Sequence, residues 1–138
     1  MPTVEQAQLV LKLYDLRRET VMRDSRNKLF AFWPKSFDEI KAVMSDMSSP
    51  LNTAYRQVTG YWEMAYSFAK HGVIDPAFLI ESNGEGIFVY SKFEPFLKEI
   101  RENTSPTAFA NTEWIANTEP GKMRLNSVKA FLAKMAEK

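Results

Sequence analysis

Residues 49–83, SPLNTAYRQVTGYWEMAYSFAKHGVIDPAFLIESN, read as two helices joined by a tight, fully punctuated corner. Ser49 offers a capping hydroxyl and Pro50 suits the first helical position. Leu51, Ala54, Val58, Tyr61, Ala65 and Phe68 then recur in steps of three and four, the period of a helix face packed on another helix. Gly72 suits the left-handed residue that ends such a helix. Asp75 is an N-cap and Pro76 a first residue for the next helix, with Ile74 and Leu79 at the spacing of a hydrophobic staple. The stretch specifies architecture and leaves chemistry open.

Outward from that corner the helical pattern continues. Thr3 caps a first helix with Gln6 three residues on, and Val4, Ala7, Val10, Leu11 and Tyr14 line one face. Val21, Leu29 and Phe32 extend it to Trp33-Pro34, with a break near Arg23 as the alternative. Ser36 opens a second helix with Glu39 in the capping-box position and Phe37, Ile40 and Met47 on its stripe. After the corner, Ile87-Phe88-Val89-Tyr90 has strand composition. No second strand-like run exists to pair with it, and Tyr90, Phe93, Leu97 and Ile100 fall at helical spacing, which predicts a helix kinked at Pro95. A short helical piece over 106–117, capped by Ser105, a turn at Glu119-Pro120-Gly121 and a last helix from Asn126 or Ser127 complete the chain. The expectation is one domain, residues 1–138, built as an all-α bundle of six or seven helices.

Composition agrees with a globular chain and excludes several classes. Of 138 residues, 45% are hydrophobic and 25% charged, enough for a real core in a single domain. The formal charge of +1 gives no bulk pull towards nucleic acid or acidic lipid. The absence of cysteine removes disulfides, thiolate metal sites and cysteine nucleophiles. No run approaches the ~18 apolar residues of a membrane span, and the N-terminus lacks a signal-peptide pattern. A soluble, cytoplasmic protein without a cofactor is the expectation.

The middle of the chain resembles a known group. Tyr61-Trp62-Glu63, Ala65 and Phe68, then His71 through Leu79, are similar to a widespread set of uncharacterised bacterial helical domains of unknown function. There, an aromatic- and glutamate-containing helix runs into a Gly-hydrophobic-Ile-Asp corner, a short helix and a glycine. A proline-kinked helix ending in arginine follows, here Lys92-Phe93-Glu94-Pro95-Phe96-Leu97 and Arg101. The likeness spans about residues 50–102. Many members of that group carry a membrane-spanning helix ahead of the domain, and no such segment stands in this sequence. The resemblance implies a fold and no activity.

The reactive residues do not assemble into a catalytic set. His71 is the only histidine, which excludes a two-histidine zinc site. At a helix C-terminus it is a natural end residue; as a base it would need Ser67, one turn earlier, or Asp75 across the turn. Arg56, Glu63 and Lys70 share a face at seven-residue steps, either a solvated stripe or a polar pocket with Glu63 as its charge. Trp62 beside Glu63 could desolvate that carboxylate. Asn83-Gly84-Glu85-Gly86 is a turn before a helix, without the lysine and spacing of a phosphate loop. Arg17, Arg18, Arg23, Arg26 and Lys28 form a basic cluster diluted by Glu19 and Asp24, so nucleic-acid binding there ranks last.

Tyr55, Tyr61, Trp62, Tyr66 and Phe68 cover more than one face of their helix. That surplus leads the functional expectation towards a non-enzymatic interaction module, a protein partner or a second copy meeting Tyr55, Tyr61 and Trp62. The alternative is a small-molecule binder or enzyme with a pocket at Trp62, Glu63, Tyr66 and His71. No metal ligands are expected.

Overall fold

The computed structural model describes residues 1–137, and every regular element among them is helical. Nine α-helices run in the order α1 Val4–Arg17, α2 Thr20–Phe30, α3 Phe37–Ser45, α4 Pro50–Lys70, α5 Pro76–Ser82, α6 Glu85–Phe93, α7 Leu97–Asn103, α8 Ala110–Ala116 and α9 Glu119–Ala136. A 3-10 turn, Glu94–Phe96, separates α6 from α7. The all-α bundle stands. Two of the expected helices are each divided, which raises the count from seven to nine.

Both divisions have local causes. The first expected helix breaks at Arg18-Glu19, where the Glu19 carboxylate accepts from the Met22 amide and starts α2. That is ahead of Arg23, the alternative break. The second division lies at Pro95, whose missing amide loosens the ladder into the 3-10 turn, as the kink predicted. Residues 85–91 are helix, so their strand composition yields to the absence of a pairing partner. One boundary moves further. Thr118 caps α9 by accepting from the Gly121 amide, so Pro120 and Gly121 lie in its first turn and not in a separate loop. Gly121 is obligatory there, because a side chain would collide with the Ile115 carbonyl at the end of α8. The piece expected over 106–117 is shorter, with a turn at 105–109 ahead of α8.

α4 is the axis of the fold. Ser49 accepts from the Leu51 amide at 3.2 Å, Pro50 follows it, and the helix runs 21 residues. It ends in a Schellman motif: Gly72 at φ 78° lets the Val73 amide reach the Phe68 carbonyl at 2.8 Å and the Gly72 amide reach Ala69 at 3.1 Å. Asp75 then caps α5 through the Phe78 amide, with Ile74 and Leu79 both buried beside it. α2 lies along one side of α4 and α8 along another, while α5, α6 and α8 receive α9. The core gathers Val58, Trp62, Ala65 and Tyr66 of α4 with Leu13, Leu29, Ile40, Ile87, Phe93, Ile100 and Ile115.

α6 presses hard on α4. Gly86 sits where a β-carbon would come within 2.7 Å of the Trp62 and Tyr66 rings, so only glycine allows the approach. Tyr66, fully buried and stacked on Trp62 at 5.4 Å, donates its hydroxyl to the Asn83 carbonyl at 2.7 Å. The amides of Gly86 and Ile87 face the Tyr66 hydroxyl oxygen. A tyrosine thereby fills the start of α6, whose N-cap residue Gly84 brings no side chain. At the other end of α6, Lys92 is buried, and its ammonium donates to the carbonyls of Leu29, Phe30 and Phe32 at 2.9, 2.8 and 3.1 Å. It closes the C-terminus of α2, and the Trp33 ring lies 4.1 Å away as a cation–π partner. Burial lowers its pKa to about 8.

Candidate functional site

The polar face of α4 begins with Asn52. Its buried amide donates to the Val43 and Met44 carbonyls at 3.0 and 3.2 Å, closing the end of α3. Its oxygen in turn accepts from Arg56 Nε at 2.9 Å. One helical turn on, the arginine is therefore held by its inner nitrogen, while Nη1 and Nη2 meet no carboxylate among the described residues. Thr59 donates back to the Tyr55 carbonyl at 2.6 Å and contributes no free proton.

Glu63 stands two turns beyond Arg56, about 10 Å along the axis. Its carboxylate accepts from the amides of Asn111 and Thr112 at 3.0 and 2.8 Å and from the Thr112 hydroxyl at 2.6 Å. Those amides belong to the first turn of α8, so Glu63 is the anionic cap that α8 lacks in its own sequence. The residue preceding that helix, Phe109, takes φ 60°, a left-handed conformation that is uncommon and costly for a non-glycine residue. Its ring is paid in contacts: it stacks on Phe93 at 5.6 Å and meets Tyr55 edge-on at 6.3 Å.

Between these elements lies an open cleft of about 490 Å³. One wall is Met44 and Met47 at the end of α3; the floor is Asn52, Tyr55, Arg56, Thr59, Gly60 and Glu63 of α4; the far wall is the 104–109 segment, through Ala108 and Phe109. The volume falls in the range of small-molecule sites, and a largely apolar lining with few placed polar groups is their usual character. Burial holds the Tyr55 phenol well above its ordinary pKa, so it is a neutral hydroxyl, and that hydroxyl has no partner among the described residues.

The expected site residues separate. Trp62 and Tyr66 are core, facing α6, and the Trp62 indole nitrogen is buried without a partner. Glu63 points the other way, into the cleft. His71 is exposed at the end of α4, and the Ser67 hydroxyl donates to the Met64 carbonyl at 2.6 Å. The four residues Trp62, Glu63, Tyr66 and His71 therefore share no cavity, because successive positions of a helix diverge by about 100°. Of the polar stripe, Arg56 and Glu63 share the cleft, while Lys70 lines a different depression with Glu113 and Trp114. Among the aromatics proposed for a contact surface, Trp62 is interior, Tyr55 is half-buried in the cleft floor, and Tyr61 is buried with its hydroxyl donating to the Leu13 carbonyl.

The basic cluster is largely paired within the chain. Arg26 makes a two-point ion pair with Glu85, Lys28 meets Asp24 at 2.7 Å, and Arg17 donates to Asn83 at 3.1 Å over the Trp62 ring. Sequence reasoning gave no site role to Asn52, Gly60, Phe109 or Lys92. Only Gly60 carried a signal, a glycine inside a long helix pattern. No group of three or more acidic or histidine side chains is placed to hold a metal among the described residues.

The chain belongs to the family described as a domain of unknown function, DUF4760, whose model matches residues 2–118. The match is wider than the 50–102 stretch that carried the resemblance and ends at the residue that caps α9. No curated protein and no solved structure matches the chain. Among the described residues no helix is long and apolar enough to cross a membrane.

Proposed function

We propose that this chain is a non-enzymatic binding module whose site is the cleft between α3, α4 and the 104–109 segment. One observation carries the reading: polar groups immobilised from behind border open volume. Asn52 fixes Arg56, and α8 fixes Glu63, so both are pre-positioned at a cleft of about 490 Å³. Binding fits this arrangement better than turnover. Of the hydroxyls lining the cleft, Thr59 and Thr104 donate to backbone carbonyls and Ser105 and Thr107 bond each other, so none is paired with a base.

The test is protein-observed NMR with fragment mixtures. The reading expects binders to shift the amides of Tyr55, Gly60, Thr107 and Phe109 together. Hits scattered over the surface, or none at millimolar concentration, would remove it.

Self-association is a second reading, favoured by a shallow groove on the opposite flank of Gly60. Leu16, Val21 and Met64 line it and are exposed, with the Tyr61 ring at its edge. Sedimentation of a strict monomer at high concentration would exclude it.

A further inference from the structure

Gly60 lies in the middle of α4, and nothing in the protein explains it. Its φ is not positive, and a β-carbon built there would meet no atom within 4 Å. A glycine at an exposed interior position destabilises a helix by about 1 kcal/mol relative to alanine. At Gly86, by contrast, the Tyr66 and Trp62 rings already occupy the space, and at Gly72 a positive φ accounts for the residue. At Gly60 the space is vacant, and the residue borders both the cleft and the shallow groove on its other flank. Glycine in that setting permits close approach of something that is not part of the chain.

The charges beside it define what that something is. Only Arg56 and Glu63 carry charge in the cleft lining. Glu63 already accepts three hydrogen bonds from α8. Arg56 retains both terminal nitrogens, and their fork matches the two oxygens of a carboxylate. The neighbouring Tyr55 hydroxyl is a second donor without a partner among the described residues. Around these donors the surfaces are Met44, Met47 and Phe109.

Resting on the binding reading above, we infer that the cleft takes a small carboxylic acid with an apolar body, its carboxylate on Arg56 and its body passing over Gly60 against Phe109. Glu63, two helical turns from Arg56 in the same lining, disfavours a second negative charge, so the ligand is a monoacid.

Three probes of one shape test this: 4-phenylbutyrate, 4-phenylbutanol and 4-phenylbutylamine, titrated into the whole chain by NMR and calorimetry. The expected result is at least tenfold tighter binding of the acid than of the alcohol or amine. Arg56→Gln, an exposed change that leaves the core intact, should bring acid and alcohol within about twofold of each other. Gly60→Val should weaken the acid and the alcohol alike. Equal affinity for the three head groups, no binding of the acid, or an acid preference that survives Arg56→Gln would each overturn the inference. The broader cleft reading is judged separately, and falls if the fragment mixtures scatter over the surface or leave the Tyr55–Glu63 and 104–109 amides unmoved.

Discussion

α4 has two faces, and a glycine marks each. On the face turned to α6, Gly86 is needed because Trp62 and Tyr66 already occupy the space a side chain would take. On the face turned to α3 and the 104–109 segment, Gly60 has room for a side chain and lacks one. The first face is closed by packing, with stacked rings and a hydroxyl bonded to the Asn83 carbonyl. The second is held open by polar groups that point at it while being anchored from behind. Close packing favours the folded state, so a face that forgoes packing and gives up helix propensity is what the proposed binding role would require.

The sharpest way to break this contrast is Gly86→Ala. Its methyl group would come within about 2.6 Å of the Tyr66 hydroxyl and ring. Overpacking of this kind costs roughly 3 kcal/mol, read as a fall in the denaturation midpoint. A neutral outcome would show that α6 and α4 are not in close contact. Next is Glu63→Gln, which leaves an amide nitrogen facing one of the two α8 amides. The expected loss is about 2 kcal/mol by chemical denaturation, with the amides of Asn111 and Thr112 becoming faster to exchange.

A smaller effect tests the far end of α6. Lys92 has a folded-state pKa of about 8, below the ordinary lysine value, so the native state releases its proton first. Between about pH 8 and the unfolded value the unfolded chain binds more protons, and stability rises with pH there. The unfolding free energy of the wild type minus that of Lys92→Met should accordingly grow between pH 7 and pH 10. A flat difference would show that burial does not penalise the ammonium. Smallest, and opposite in sign, is Gly60→Ala, expected to gain roughly 0.5–1 kcal/mol. A loss there would mean that the free chain needs the glycine for itself.

The ends of α4 and the corner into α5 were legible in the amino-acid sequence, and the partners of its two faces were not. Ser49-Pro50, Gly72 and Asp75-Pro76 act within a few residues of themselves, so their patterns carry their structural roles directly. The Arg56–Glu63 spacing was legible as a shared face, but its neighbours arrive from Met44 and Phe109, about half the chain apart. Tyr61 and Trp62 were read as surplus surface because one helix pattern cannot reveal how many partners surround it; α1, α2 and α6 absorb both rings. Lys92 is polar in an apolar run, and its acceptors are backbone carbonyls some sixty residues away, which no side-chain pattern records. Pro120-Gly121 misled for a different reason. The same residue pair serves a turn or the first turn of a helix, and only the cap at Thr118 distinguishes them.

The Lys92 ammonium also bears on how the chain can be cut. Its three acceptors lie in the 29–32 stretch, and Arg26, earlier in α2, fastens that helix to Glu85. A fragment beginning at α3 would forfeit more than two helices: it would leave a cation stranded in an apolar interior and a carboxylate without its mate. Truncation from the N-terminal side therefore injures the remaining bundle from within, and α1–α2 belongs to the minimal folding unit.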